Sequence, residues 1–327
     1  MNNTSNSSNP SDHHMEVSSI IHFNIIFICL SVVGILIVAA NGLVFVLVYK
    51  RRTLLRKTNF FLISLAVSDI SSGLIGIPLI ILCNTYPYES LIKTMDICNK
   101  FLGISTILHL LSATIERYIK VLAPLHYRRL VTKKRIVMVL AGIWMISLLT
   151  PVIELSWYED IEATQKYSLA LLCCFVIFPL TLMTSITFHI FYLIREQKSR
   201  LKILANRTMA KKQQRRKQAE RRAVMVYSAM SISFAIGWFP YFLSALFSDY
   251  VLKEDDEYPI PVWADYVFLF LKFSTGLIDP LLYTFFKTDF QTAMRSLLFN
   301  SYENINTRVT IHMSSLQAPN TQRSSSD

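Results

Sequence analysis

The sequence predicts an all-α bundle of seven membrane-spanning helices with a short amphipathic eighth helix, and three observations carry that prediction. Apolar residues come in seven long runs, not in the periodic stripes with which a soluble helix covers a core. The 327 residues are 52% hydrophobic and 17% charged, with mean hydropathy +0.39, and a soluble domain of this size carries more charge. The lysines and arginines gather on alternate loops: Lys50 to Lys57, Lys120 to Arg135, Arg195 to Arg222, and from Lys287 onward. Only Lys93, Lys100, Lys166 and Lys253 remain for the other side, with Arg117 and Lys272 inside runs. The positive-inside rule then puts the N-terminus outside and the C-terminus in the cytosol.

Taken in order, residues 1–19 form a polar outer segment without the charged-then-apolar pattern of a cleaved leader. Asn2, Asn3 and Asn6 each open an Asn-x-Ser/Thr sequon on that outer side and are expected to be glycosylated. The transmembrane domain covers 20–285. Span one runs from about Ile20 to Tyr49. Span two runs from Asn59 to Cys83, where Pro78 is expected to bend the outer half. Span three extends from Met95 to Val121 and span four from Ile136 to Leu155. A short outer loop, Ser156 to Lys166, leads to span five, Tyr167 to Ile194. Span six is read as Ala223 to Phe247, with Pro240 a hinge because it removes a backbone hydrogen bond. Span seven is Val262 to Tyr283.

Residues 286–299 read as an amphipathic helix on the inner leaflet, with Phe286, Phe290, Met294 and Leu297 on one face and Lys287 and Arg295 off it. The tail, 300–327, is polar and expected to be disordered. The basic run Lys211 to Arg222 lies between two spans. It is therefore read as a surface for anionic lipid or a protein partner, and no nucleic acid is implied. Five scattered cysteines offer no metal-ligand spacing.

Chemistry concentrates at the end of span three, where Glu116, Arg117 and Tyr118 adjoin. An arginine there is costly in lipid, so it should face the protein interior and have partners. In this position the triplet resembles the signature of rhodopsin-like G-protein-coupled receptors, and the resemblance extends over about Ile20 to Phe299. Matching motifs are Ala39-Ala40-Asn41-Gly42, the span-two phrase Asn59 to Asp69, Ala123-Pro124-Leu125-His126-Tyr127, and Trp144 with Pro151. Further along, Pro179 with Met183, Phe234 with Gly237-Trp238-Phe239-Pro240-Tyr241, and Asp279-Pro280-Leu281-Leu282-Tyr283 also match. Departures are Thr187 where the family has a tyrosine, Asp279 for its asparagine, and Ile92 for the cysteine that normally ties span three to the second outer loop. Cys83 and Cys98 are left as a candidate pair. The short loop, the missing cysteine and the Asp-Pro motif look most like melanocortin receptors, and the span-two phrase also looks like adenosine receptors. Neither likeness extends to a ligand pocket, so the chain resembles an orphan.

The resemblance implies three constellations. Glu116, Arg117, Tyr118 and Glu220 would form the G-protein-coupling end, with Glu220 as an ionic lock on Arg117; the alternative is a solvated helix end. Phe234, Trp238, Pro240, Asp279, Pro280 and Tyr283 would be the activation switch. Asn41, Asp69, Thr106 and Asp279 would hold a sodium ion or share a proton; the alternative is a structural hydrogen bond. The ligand pocket would draw on Asn99, Gly103, Trp238, Tyr241, Phe242, Tyr266, Leu269 and Lys272.

Asn99 stands where amine receptors carry an aspartate, which argues against a biogenic amine. Lys272 would pair with an anionic ligand or with an acid such as Glu154, or else snorkel outward. Opsins tether retinal to a lysine at the position of Phe273, and one residue turns a helical side chain by about 100°. An opsin-like light receptor is therefore the weaker alternative. A transporter would need paired repeats and broken helices, which are not evident.

The resemblance thus implies a plasma-membrane receptor, not an enzyme, with no cofactor beyond a possible sodium ion and no other metal. Its expected partners are membrane lipids, an extracellular ligand and a heterotrimeric G protein. Arrestin and a receptor kinase would act on Thr310, Ser314, Ser315, Ser324, Ser325 and Ser326.

Overall fold

The computed structural model describes residues 10–55, 59–201, 207–251 and 261–297. Seven helices in it are long and apolar enough to cross a membrane: Asn24–Lys50, Phe60–Thr85, Glu89–Leu122, Lys133–Ser156, Ile161–Leu193, Arg221–Ser244 and Trp263–Phe286. These are spans one to seven. No strand occurs among the described residues. Helix is what a lipid solvent demands, because each backbone donor must find its acceptor within the same segment.

The helices outrun the apolar runs. The first extends over Pro10–Lys50, so part of the segment expected to be a polar outer segment continues span one. The sixth extends over Arg207–Val251, through residues read above as loop. Lys, Arg, Gln and Ala are good helix formers and need no lipid to stay helical. Span five starts at Ile161 instead of Tyr167. The Asp160 side chain accepts from the Ala163 backbone N–H at 3.1 Å and caps that helix. Thr132 caps span four in the same way, accepting from the Arg135 N–H at 3.3 Å.

Prolines shape two spans. In span two the helix widens to a π turn at Ser72–Gly76, just before Pro78. In span five a π turn occupies Cys173–Ile177, just before Pro179. A proline ring collides with the carbonyl four residues earlier, and a wider turn relieves that contact. Pro240 lies inside its helix without interrupting it.

Buried apolar residues form a main cluster that includes Leu62, Leu65, Leu110, Met183, Met230, Phe234, Trp238 and Tyr283. A second cluster, with Leu30, Ile37, Ile77, Ile80, Leu269 and Phe273, joins spans one, two and seven. Large apolar side chains on the outside, such as Ile35, Met138 and Phe188, face the position of lipid.

Beyond Phe286 the backbone bends at Lys287, and residues 288–297 form the expected eighth helix. Its register differs from expectation. Phe290 is buried against Tyr283, with ring centroids 5.0 Å apart, while Phe286 is 58% exposed. Lys287, expected off the apolar face, is 3% exposed and donates to Asn59 Oδ1. The bend turns Lys287 into the bundle, a geometry that helical periodicity does not encode. Asn59 also donates to the Leu54 carbonyl at 2.8 Å, which fixes the turn after span one.

Candidate functional site

At the basic end of the bundle, Arg117 is buried at 6% exposure. Its Nε lies 3.4 Å from Glu116 Oε2, its Nη2 donates to Tyr227 OH at 3.4 Å, and its guanidinium sits 5.2 Å from the Tyr227 ring centre. Tyr227 belongs to span six, so the arginine links spans three and six. Glu116 also accepts from Tyr127 OH in the following short helix. Tyr127 lies outside the spans, and burial together with the neighbouring Glu116 carboxylate raises its phenol above the usual range. Tyr118 points elsewhere and shares a 3.0 Å hydrogen bond with His189 of span five. Glu220, expected to lock Arg117, has its backbone in the sixth helix, but its side chain lies outside the described residues. Tyr227, not singled out in the sequence, and Tyr127, quoted there only as part of a loop motif, take part in the network around Arg117. A Tyr seven residues after Glu220 has no motif to mark it.

Mid-bundle, Asn41 donates to the Ile37 carbonyl at 3.0 Å and to the Gly276 carbonyl at 2.8 Å, joining spans one and seven. Asp69, Asp279, Thr106 and Tyr283 are all buried. Asp69 feels the charge of Asp279, and its carboxylate would lie 3.6 Å from a Cβ placed on Gly276. Among the described residues, Asn41 Oδ1, Asp69 Oδ2, both carboxylate oxygens of Asp279 and Tyr283 OH have no hydrogen-bond partner. That donor set is oxygen-rich and acidic, which suits a hard cation such as sodium.

Above it, Phe234 and Trp238 stack at 5.6 Å and 14°. Trp238 donates to Thr275 Oγ1 of span seven at 3.3 Å. Gly103 is what allows Trp238 to lie on span three, since a Cβ there would meet the indole at 2.6 Å. Trp238 also contacts Tyr241 and Phe242, with centroids 6.3 and 5.6 Å away.

Lys272 is 1% exposed and reaches into this aromatic group. Its Nζ donates to Asn99 Oδ1 at 2.8 Å and lies 3.7 Å from the Tyr241 ring centre, 5.0 Å from Trp238 and 5.0 Å from Phe273. Asn99 in turn donates to Tyr241 OH at 3.2 Å. Spans three, six and seven therefore meet at one lysine. The expected partner Glu154 is engaged elsewhere, with its carboxylate 2.6 Å from Lys100 Nζ. Glu154 ends span four on the side of Lys100, so the ion pair closes within spans three and four. Asn99, Gly103, Trp238, Tyr241, Phe242 and Lys272 thus come together as expected. Leu269 is buried beside them, in the cluster with Leu30, Ile37 and Phe273 against which Tyr241 also packs. Tyr266 is half-buried one turn further out.

Other expectations resolve simply. Trp144 is a packing anchor: it donates to Ser64 Oγ at 3.1 Å and lies against Phe101 and His109. His109, not singled out in the sequence, is buried between Ser105 and Ser64. Cys83 and Cys98 are both free thiols. Asn2, Asn3, Asn6 and the tail serines and threonines lie outside the described residues.

A seven-helix membrane bundle whose third span ends in a buried, partnered arginine defines the class of a transmembrane receptor. The family model described as 7 transmembrane receptor (rhodopsin family) matches residues 40–283, and the chain belongs to that family. The histamine H2 receptor of Cavia porcellus is 28% identical over 326 residues, 92% of this chain and 86% of its own length. The human histamine H2 receptor is 26% identical, covering 87% of this chain and 82% of its own length. The adenosine receptor A2b of Gallus gallus is 25% identical, covering 82% of this chain and 86% of its own length. The protein is therefore a multi-pass membrane receptor that signals through G proteins, not an enzyme, and the family needs no cofactor.

Proposed function

We propose that this receptor stands in the plasma membrane with its basic end in the cytosol. There Arg117, Tyr227 and the exposed Leu125 would face the G protein. The loop charges support that orientation. An extracellular small molecule would settle on the cluster of Asn99, Trp238, Tyr241 and Lys272. The single observation that carries the reading is the Arg117 contact between spans three and six, which closes the basic end. Ligand contact near Trp238 would turn span six about Pro240 and open that end. Asp69 and Asp279 would hold sodium in the closed form, with Asn41 Oδ1 as a neutral ligand. Arrestin and a receptor kinase would engage the Ser/Thr-rich tail, and the N-terminal sequons would carry glycans.

Relatives are named for histamine and adenosine, but the site speaks against a cationic amine here. A buried lysine already occupies it, and like charges in a low-dielectric site repel strongly. The experiment is nucleotide exchange on a panel of G proteins in membranes bearing the receptor. The wild type should show basal exchange that Arg117→Ala abolishes at equal surface expression. Exchange that survives Arg117→Ala would remove the proposed coupling role.

A further inference from the structure

Lys272 is held in an unusual way for a buried cation. Three aromatic rings surround its ammonium, and one neutral amide oxygen, Asn99 Oδ1, accepts from it. An ammonium has three protons to donate, and hydrogen bonds to an ionised acceptor are roughly twice as strong as those to a neutral one. The nearby acids are committed elsewhere. Glu154 and Asp96 both bind Lys100, at 2.6 and 2.7 Å, and Asp265 accepts from Ser244. Among the described residues, Lys272 has no ion-pair partner. Ring faces attract a cation but do not neutralise it, so the site is short of one negative charge.

The rings also describe what accompanies that charge. Trp238, Tyr241 and Phe242 form a continuous aromatic wall. Next to it, Lys100, Gly103, Leu171, Val176 and Phe242 line a small, almost wholly apolar gap of about 10 Å³.

We propose that Lys272 is the anchor for an anionic ligand: a small carboxylate with an aromatic or apolar body, bound through its acid group. The proposal rests on the receptor reading above and gives it a ligand class. The carboxylate replaces Asn99 Oδ1 as the acceptor for Lys272. Asn99 is then released, and with it the hydrogen bond to Tyr241 that ties span three to span six. Binding at the lysine thereby reaches the helix that carries Pro240. No covalent step is involved.

The test uses purified full-length receptor and two acid–amide pairs as probes: phenylacetate with phenylacetamide, and indole-3-acetate with indole-3-acetamide. Thermal midpoint reports binding, and G-protein nucleotide exchange reports signalling. The acids should raise the midpoint saturably, with the amides weaker by at least about tenfold, since they lack the charge. Lys272→Met should lose the response to acids. Asn99→Asp, which supplies the carboxylate from span three itself, should lose it too while keeping its fold. Equal action of acid and amide, a response that survives in either variant, or no response to either acid would overturn the proposal. The acid–amide comparison in the wild type needs no variant to fold. A midpoint shift without exchange would keep the anion site and sink its link to signalling. Exchange driven equally by the amides would keep the receptor and sink the anion site.

Discussion

Lys100 of span three and Glu154 at the end of span four form a buried ion pair, with Nζ 2.6 and 2.7 Å from the two carboxylate oxygens and Glu154 1% exposed. Close by, Lys93 bridges Glu89 and Glu159 at 2.7 and 2.5 Å and sits 4.9 Å from the Tyr158 ring centre. Lys93 immediately follows Ile92, the residue found where the family places a cysteine. Ion pairs therefore connect span three to the second outer loop, where a disulfide was expected to be missing.

Breaking the buried pair from one side should be costly. Glu154→Gln leaves Lys100 with Asp96 at 2.7 Å, so the loss should stay below the roughly 3 kcal/mol of a fully orphaned buried charge. The thermal midpoint should fall clearly. The double replacement Lys100→Met with Glu154→Leu should recover most of it. A midpoint for Glu154→Gln equal to wild type would show that the pair contributes nothing.

At the other end, Glu116 divides its carboxylate between Arg117 and Tyr127. Glu116→Gln removes the charge that holds Arg117 in the closed arrangement. Removing one partner of a buried ion pair costs about 3 kcal/mol or more, so ligand-independent exchange should rise about tenfold or more. Basal exchange in matched membranes decides this, and an unchanged rate would remove Glu116 from the closed arrangement.

Gly237 marks a close approach of spans six and seven. A Cβ there would meet Thr275 Cγ2 at 2.5 Å and the Leu271 backbone oxygen at 2.7 Å. Backbone cannot move aside as a flexible side chain does, so Gly237→Ala should cost about 1–3 kcal/mol. Gly42→Ala is the control, because nothing lies within 4 Å of its added Cβ. Equal midpoints for the two variants would contradict the packing described.

The orphaned oxygens of Asp69 and Asp279 give a sodium test. Replacing choline chloride with sodium chloride at constant ionic strength should raise the thermal midpoint of the wild type. Asp69→Asn should lose that rise, and Asp279→Asn should reduce it. A sodium response that is identical in all three proteins would mean the carboxylates are hydrogen-bonding structure only.

Lys287, just beyond span seven, supplies a pH dependence. Burial, followed by the Arg117 guanidinium, holds its ammonium well below the usual lysine range; Asp289 and Glu116 oppose this, and Lys120 adds to it. Between the lowered value and the ordinary one, the folded form binds fewer protons than the unfolded form. Stability from this group therefore rises with pH in that window and is lost as pH falls through it. Midpoints of the wild type should climb from about pH 7 to about pH 10 relative to Lys287→Met, a window bounded by the ordinary lysine value. Parallel curves would show that the lysine has left its buried seat.

The seven spans and the receptor family were legible in the sequence, because apolar run length and basic-loop placement answer directly to the bilayer; Arg117 was legible as a buried residue, but its partner Tyr227 was not. Asn99, Trp238, Tyr241 and Lys272 could be named together from their positions in spans three, six and seven, and the structure brings them into contact. Their contacts with one another were not legible. Lys272 pairs with Asn99 because both point to one place among spans three, six and seven, while Glu154 is taken by a lysine one helix away. Lys287 looked like a surface charge by helical periodicity, and a bend at its own backbone turned it inward. Span five began early because of a cap at Asp160, and the sixth helix ran on into charged residues that hydropathy counted as loop. Local composition reports the solvent that each segment meets. Which polar groups become neighbours depends on how distant helices cross, and only the tertiary structure decided that.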